Sequence, residues 1–71
     1  MDIDLDMHFS AHYDGENITI KREGKPVGSF PPDRPIQYRG DLLMAGCRWL
    51  DAFYDCGGTS HIADERMKTC N

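Results

Sequence analysis

From Asp2 to Tyr13 the chain alternates without a break. Ile3, Leu5, Met7, Phe9, Ala11 and Tyr13 form an apolar set, and Asp2, Asp4, Asp6, His8, Ser10 and His12 form a polar one. Side chains of a strand point to opposite faces with period two, whereas a helix would scatter both sets around its axis. The pattern predicts one extended strand over residues 3–13, with one face on a core and the other in water.

Asp14-Gly15 is a turn signal, and Ile18 and Ile20 mark a second strand over residues 17–22 with Thr19 and Lys21 facing out. Glu23-Gly24 makes a second turn into a weaker strand over residues 25–30. Pro26 cannot donate to a ladder, which puts that strand on an edge, and Gly28 marks a bulge that brings Val27 and Phe30 to the core side. Pro31, Pro32 and Pro35 make a stiff connector. Ile36 and Tyr38 then either extend an edge or pack under the sheet.

The main helix is expected over residues 41–56, with Asp41 as N-cap. Leu43, Cys47, Leu50 and Tyr54 form its apolar stripe, widened by Leu42, Ala45, Trp49 and Phe53, and Arg48 lies in reach of Asp51 on the polar side. Gly57-Gly58 ends it, and Thr59 or Ser60 caps a short helix running to Thr69. The expected fold class is α+β: a three-stranded antiparallel β-meander with one main α-helix packed on one face and a short C-terminal helix, in a single domain spanning residues 1–71.

At 71 residues, 39% hydrophobic and 28% charged, the chain has the composition of a small globular protein. Its start, Met1-Asp2-Ile3-Asp4, lacks the basic residues and apolar run of an export signal, and its apolar runs are too short to cross a membrane. The expected location is cytoplasmic. Cys47, Cys56 and Cys70 do not make a disulfide framework, and Cys47 and Cys56 are expected to pack as small apolar groups, with Cys70 open to oxidation in vitro.

His8 and His12 have the spacing that joins two metal ligands on a helix, but on a strand the same spacing separates them by about 13 Å, too far for one zinc ion. Cys56, His61 and Cys70 lack both a close Cys pair and a fourth ligand. Cys56 with His61 lacks the orienting group and oxyanion site of a nucleophilic pair. Gly57-Gly58 is a helix stop rather than a phosphate loop. No enzyme activity, cofactor or metal is expected.

Charge is distributed unevenly. The chain carries a net charge of -4, and residues 1–16 hold five acids (Asp2, Asp4, Asp6, Asp14 and Glu16) with no lysine or arginine. Residues 17–40 hold five bases against two acids. This balance argues against direct nucleic-acid binding. An extended strand projects Asp2, Asp4 and Asp6 from one face about 6.6 Å apart, a row similar in sign and pitch to nucleic-acid phosphates. Such a row either matches a basic groove on a protein partner or protects an exposed sheet from aggregation. His8, His12, Asp14 and Glu16 extend the same candidate contact.

In its length, its start at Met1, its acid row Asp2-Asp4-Asp6 and its lack of a catalytic set, the chain resembles the small acidic phage-encoded inhibitors of bacterial defence, the anti-CRISPR proteins above all. That resemblance implies a non-enzymatic inhibitor in the host bacterial cytoplasm. It would dock on a CRISPR effector subunit and block DNA binding or nuclease recruitment. The family shares no fold or site, so no residue role carries over from it. A second class of function is a small structural or regulatory subunit of a phage or bacterial assembly. Its contact would be apolar, through Ile36, Tyr38 and any exposed part of Trp49 or Phe53, in a monomer or weak homodimer.

Overall fold

The alternating N-terminal segment folds as two strands. In the computed structural model, which describes residues 1–69, strand β1 (Asp2–Asp4) pairs antiparallel with β2 (Phe9–Tyr13), and residues 5–8 turn between them. Asp6 makes the turn. Its Oδ1 accepts the backbone N–H groups of His8 at 2.8 Å and Phe9 at 2.9 Å, while Leu5 N–H donates to Phe9 C=O at 2.9 Å. Aspartate turns a chain in this way by supplying an acceptor for amides two and three residues on. The register sets Asp2 opposite His12, Ile3 opposite Ala11 and Asp4 opposite Ser10. Like parity therefore faces like parity, and the period-two pattern passes through the hairpin unbroken. Met7 alone departs from it, lying at the tip and 92% exposed.

The sheet continues through β3 (Ile18–Arg22) and β4 (Lys25–Phe30), giving four antiparallel strands in the order β1-β2-β3-β4 rather than three. Both expected tight turns form. Asp14 Oδ1 accepts from Glu16 N–H and Asn17 N–H at 2.8 Å each, and Glu23-Gly24 takes positive φ at both residues. The ladder between β3 and β4 shifts where Ile20 pairs with Gly28 and Lys21 with Pro26, which leaves Val27 as the extra residue. Phe30 is buried and Val27 packs against the core, as the bulge requires.

Helix α1 (Arg39–Asp55) starts two residues before the expected N-cap, with Tyr38 in that role. Asp41 instead lies in the first turn, where its Oδ2 accepts from Gln37 N–H and Tyr38 N–H at 3.0 Å each. The buried face is Leu42, Ala45, Gly46, Trp49, Leu50 and Phe53. Of the stripe expected to lead the packing, only Leu50 is buried. Leu43, Cys47 and Tyr54 are exposed. Arg48 reaches out of the helix to Asp33 Oδ2 at 3.0 Å.

Gly57 and Gly58, both at positive φ, end α1 and turn the chain into α2 (Ser60–Thr69). Both helices lie on one sheet face, α1 against β1, β2 and β3, and α2 against β4 and α1. Trp49 is fully buried, stacks on Phe53 with ring centroids 5.1 Å apart, and donates its indole N–H to Asp64 Oδ1 of α2 at 2.8 Å. That bond crosses β4 at Gly28, where a Cβ would stand 2.6 Å from Asp64 Oδ1 and 2.8 Å from the Trp49 ring. Ile36 packs against the core, whereas Tyr38 is exposed. No helix among the described residues is long and apolar enough to cross a membrane. Cys70 lies outside the described residues.

Candidate functional site

The acidic residues singled out from the sequence do not form one row. Asp2 and Asp4 share the water-facing side of β1, but Asp6 lies in the turn with its carboxylate committed to two backbone amides. Asp2 is engaged as well. The register places His12 across from it, and His12 Nδ1 stands 2.6 Å from Asp2 Oδ1, with the ring N–H donating to the carboxylate. His8 precedes β2 rather than lying in it, and its Nδ1 stands 3.3 Å from Glu23 Oε1 across the neighbouring turn. His8 and His12 thus each face a different carboxylate. Asp14 and Glu16 sit at the opposite end of the sheet from Asp6, in the turn between β2 and β3.

These contacts keep the acids charged. The bond from His12 lowers the Asp2 pKa, the backbone N–H of His8 followed by that of Phe9 lowers that of Asp6, and the N–H groups of Asn17 and Glu16 lower that of Asp14. Hydrogen bonds to an ionised carboxylate favour that form. The N-terminal hairpin is therefore a stable source of negative field although its charges are not aligned.

The surface that the sequence did not reveal lies beside it. Successive residues of a helix step about 100° around its axis, so Leu43, Cys47, Asp51 and Tyr54 share the flank of α1 next to the strip packed on the sheet. Leu43 is 42% exposed and Tyr54 60%. The hairpin runs along this flank. Leu5 rests on Gly46, where a Cβ would come within 2.5 Å of a Leu5 methyl group, and Asp6 interacts with the Tyr54 hydroxyl. Apolar groups thus lie open among Asp4, Asp6 and Asp51. Arg39 marks the end of the flank, donating to Asp2 C=O at 3.4 Å. A signal for this surface existed. The apolar residues of α1 from Ala45 round to Cys47 span about 200° of the helix, roughly twice the stripe needed to face a core.

The other flank of α1 borders a cavity of about 330 Å³ against the proline-rich connector, lined by Asp33, Arg34, Ile36, Asp41, Met44 and Arg48 among others. Its charged walls meet each other in the Arg48–Asp33 pair, which lowers the Asp33 pKa. Among the described residues, no group of three or more His, Cys, Asp or Glu converges as metal ligands would. Cys56 directs its thiol to the carbonyls of Phe53 and Thr59 at 3.3 and 3.2 Å. Comparisons with protein-family models, curated proteins and solved structures found no match for this chain.

Proposed function

We propose that the protein is a non-enzymatic binding module that inhibits another protein by covering a basic surface on it, with the β1 edge and the adjoining α1 flank as the contact. The observation that carries this reading is the exposure of Leu43 and Tyr54 beside the carboxylates of Asp4, Asp6 and Asp51. Open apolar groups rimmed by charge are the usual mark of a protein contact. Carboxylates on that rim select a basic partner and speed the encounter. Asp2, Asp14 and Glu16 contribute negative field around this contact rather than a continuous row, while His8 and His12 each stand against a carboxylate, that of Glu23 and of Asp2. The finer reading is an inhibitor of the anti-CRISPR type, since the nucleic-acid channels of CRISPR effector complexes are basic.

Capture from bacterial lysate with mass spectrometry would identify the partner. A variant carrying Asp4→Lys and Asp51→Lys would then test the surface. The captured protein should be lost from the variant while the melting temperature stays within a few degrees, because both residues are exposed. Capture that survives the double reversal rules this flank out. For the finer reading, adding the protein to purified effector complexes should reduce their binding to target DNA, and the variant should not.

The second reading is a small subunit that associates through an apolar contact, including with its own copy. Exposed Tyr38, Leu43, Met44 and Tyr54 favour it, although Trp49 and Phe53 are buried and contribute nothing to such a surface. Gel filtration with light scattering separates the readings. A dimer that persists in high salt supports the apolar one, because an acidic contact weakens as ionic strength rises.

A further inference from the structure

An antiparallel edge strand bonds its neighbour through alternate residues and turns the backbone groups of the others outward. In the N-terminal hairpin the odd residues face inward: Met1 C=O accepts from Tyr13 N–H at 2.8 Å, and Leu5 N–H donates to Phe9 C=O at 2.9 Å. The peptide groups of Asp2 and Asp4 therefore point away from the sheet. Below them a cleft of about 340 Å³ opens between β1 and the start of α1, lined by Ile3, Asp4, Arg39, Gly40 and Leu43. At Gly40 a Cβ would meet nothing within 4 Å.

We infer that β1 accepts a fifth strand from another protein, an extended segment in which basic and apolar residues alternate. The inference rests on reading this flank as a protein contact, and adds the mode of contact and the chemistry of the segment. A strand laid along β1 places alternate side chains on the two faces of the sheet. Those on the water face stand beside Asp2 and Asp4, where lysine or arginine is the favourable cross-strand neighbour. Those on the helix face enter the cleft against Ile3 and Leu43, where apolar residues fit. A second copy of this chain is a poor occupant, since antiparallel pairing of β1 with itself sets Asp2 and Asp4 against the same carboxylates. The incoming strand displaces the Arg39 contact to Asp2 C=O, which at 3.4 Å is a long one.

The probe is a synthetic peptide, acetyl-Lys-Val-Lys-Val-Lys-Val-amide, added to the isotope-labelled full chain. In an antiparallel addition the lysine N–H groups bond the Asp2 and Asp4 peptide groups. N-methylation of the lysines should then weaken binding about tenfold or more, while N-methylation of the valines changes it less than about threefold. Bound peptide should slow hydrogen exchange of the Asp2 and Asp4 amides, Arg39→Ala should tighten binding, and a Glu-Val peptide should not bind. Equal binding of the two methylated peptides, or unchanged exchange at Asp2 and Asp4 under bound peptide, overturns strand addition. Absence of any binding by the Lys-Val peptide overturns it too. The parent reading fails by a different result, partner capture that survives the Asp4→Lys, Asp51→Lys reversal.

Discussion

The two edges of the sheet are finished in different ways. At β4 the chain blunts the edge with Pro26 and a bulge at Val27, and α2 packs on the inner face of that strand, fixed by the Trp49–Asp64 bond across Gly28. At β1 the edge is three residues long, and the helix beside it leaves Leu43 and Tyr54 open. One edge strand is held by close packing on its inner face, which is unforgiving of added atoms. The other is guarded by charge, which discourages self-pairing while leaving backbone groups available. The difference separates the part of the molecule that holds the fold from the part proposed above as the contact.

Substitutions should therefore act unequally on the two sides. The largest effect is expected at Trp49. Its replacement by alanine should cost about 3–5 kcal/mol, close to the roughly 4–10 kcal/mol available to a chain of this size. Thermal melting followed by circular dichroism should show the cooperative transition strongly lowered or lost. Gly28→Ala should follow at about 1–3 kcal/mol, because the new methyl group meets the rigid, fully buried Trp49 ring. Asp64→Ala should cost about 1–3 kcal/mol by leaving the buried indole N–H without an acceptor, and Asp64→Asn, which restores one, should recover most of it.

Gly46→Ala sharpens the comparison. There the obstruction is the end of the Leu5 side chain, which can rotate, and alanine favours the helix by about 0.5–1 kcal/mol. Its melting point should stay within a few degrees of the parent, well above that of Gly28→Ala. Equal losses at the two glycines would mean that the hairpin side is packed as rigidly as the α2 side.

The smallest effects concern acid. The folded-state pKa values of Asp2, Asp6 and Asp14 are depressed. Their stabilisation is therefore present above the unfolded carboxylate value of about 4 and is lost as pH falls through the lower folded values. Asp6→Asn should flatten the fall of stability below about pH 4 and leave its slope near neutrality unchanged, as read from urea melts at a series of pH values. A slope change near neutrality would place the coupling elsewhere.

Most of the inner face of the sheet was legible in the sequence because period two survives a hairpin whose register keeps parity. For the same reason the hairpin itself was not legible, since Ile3, Leu5, Phe9, Ala11 and Tyr13 read identically as one strand or two. Only Asp6, able to cap a turn, carried a local signal, and no glycine, asparagine or proline reinforced it. The turns at Asp14-Gly15 and Glu23-Gly24, the bulge beside Gly28 and the helix stop at Gly57-Gly58 were legible, since each needs a backbone geometry that few residues allow. In α1 two apolar stripes competed. The choice fell to Trp49 and Phe53 through tertiary contacts with Phe9 and Asp64, which no local pattern contains. The acid row failed as an expectation because Asp6 was needed for the turn and Asp2 met His12 across the register.

The central claim is a location, and nuclear magnetic resonance can map it directly on the labelled chain bound to its captured partner. Signals of Asp4, Leu43, Cys47, Asp51 and Tyr54 should shift or broaden, while those of Thr19, Ser29 and Ile62 stay where they are. A map centred on Thr19 and Ser29, or on Ile62 and α2, with the β1 flank undisturbed, would contradict the account.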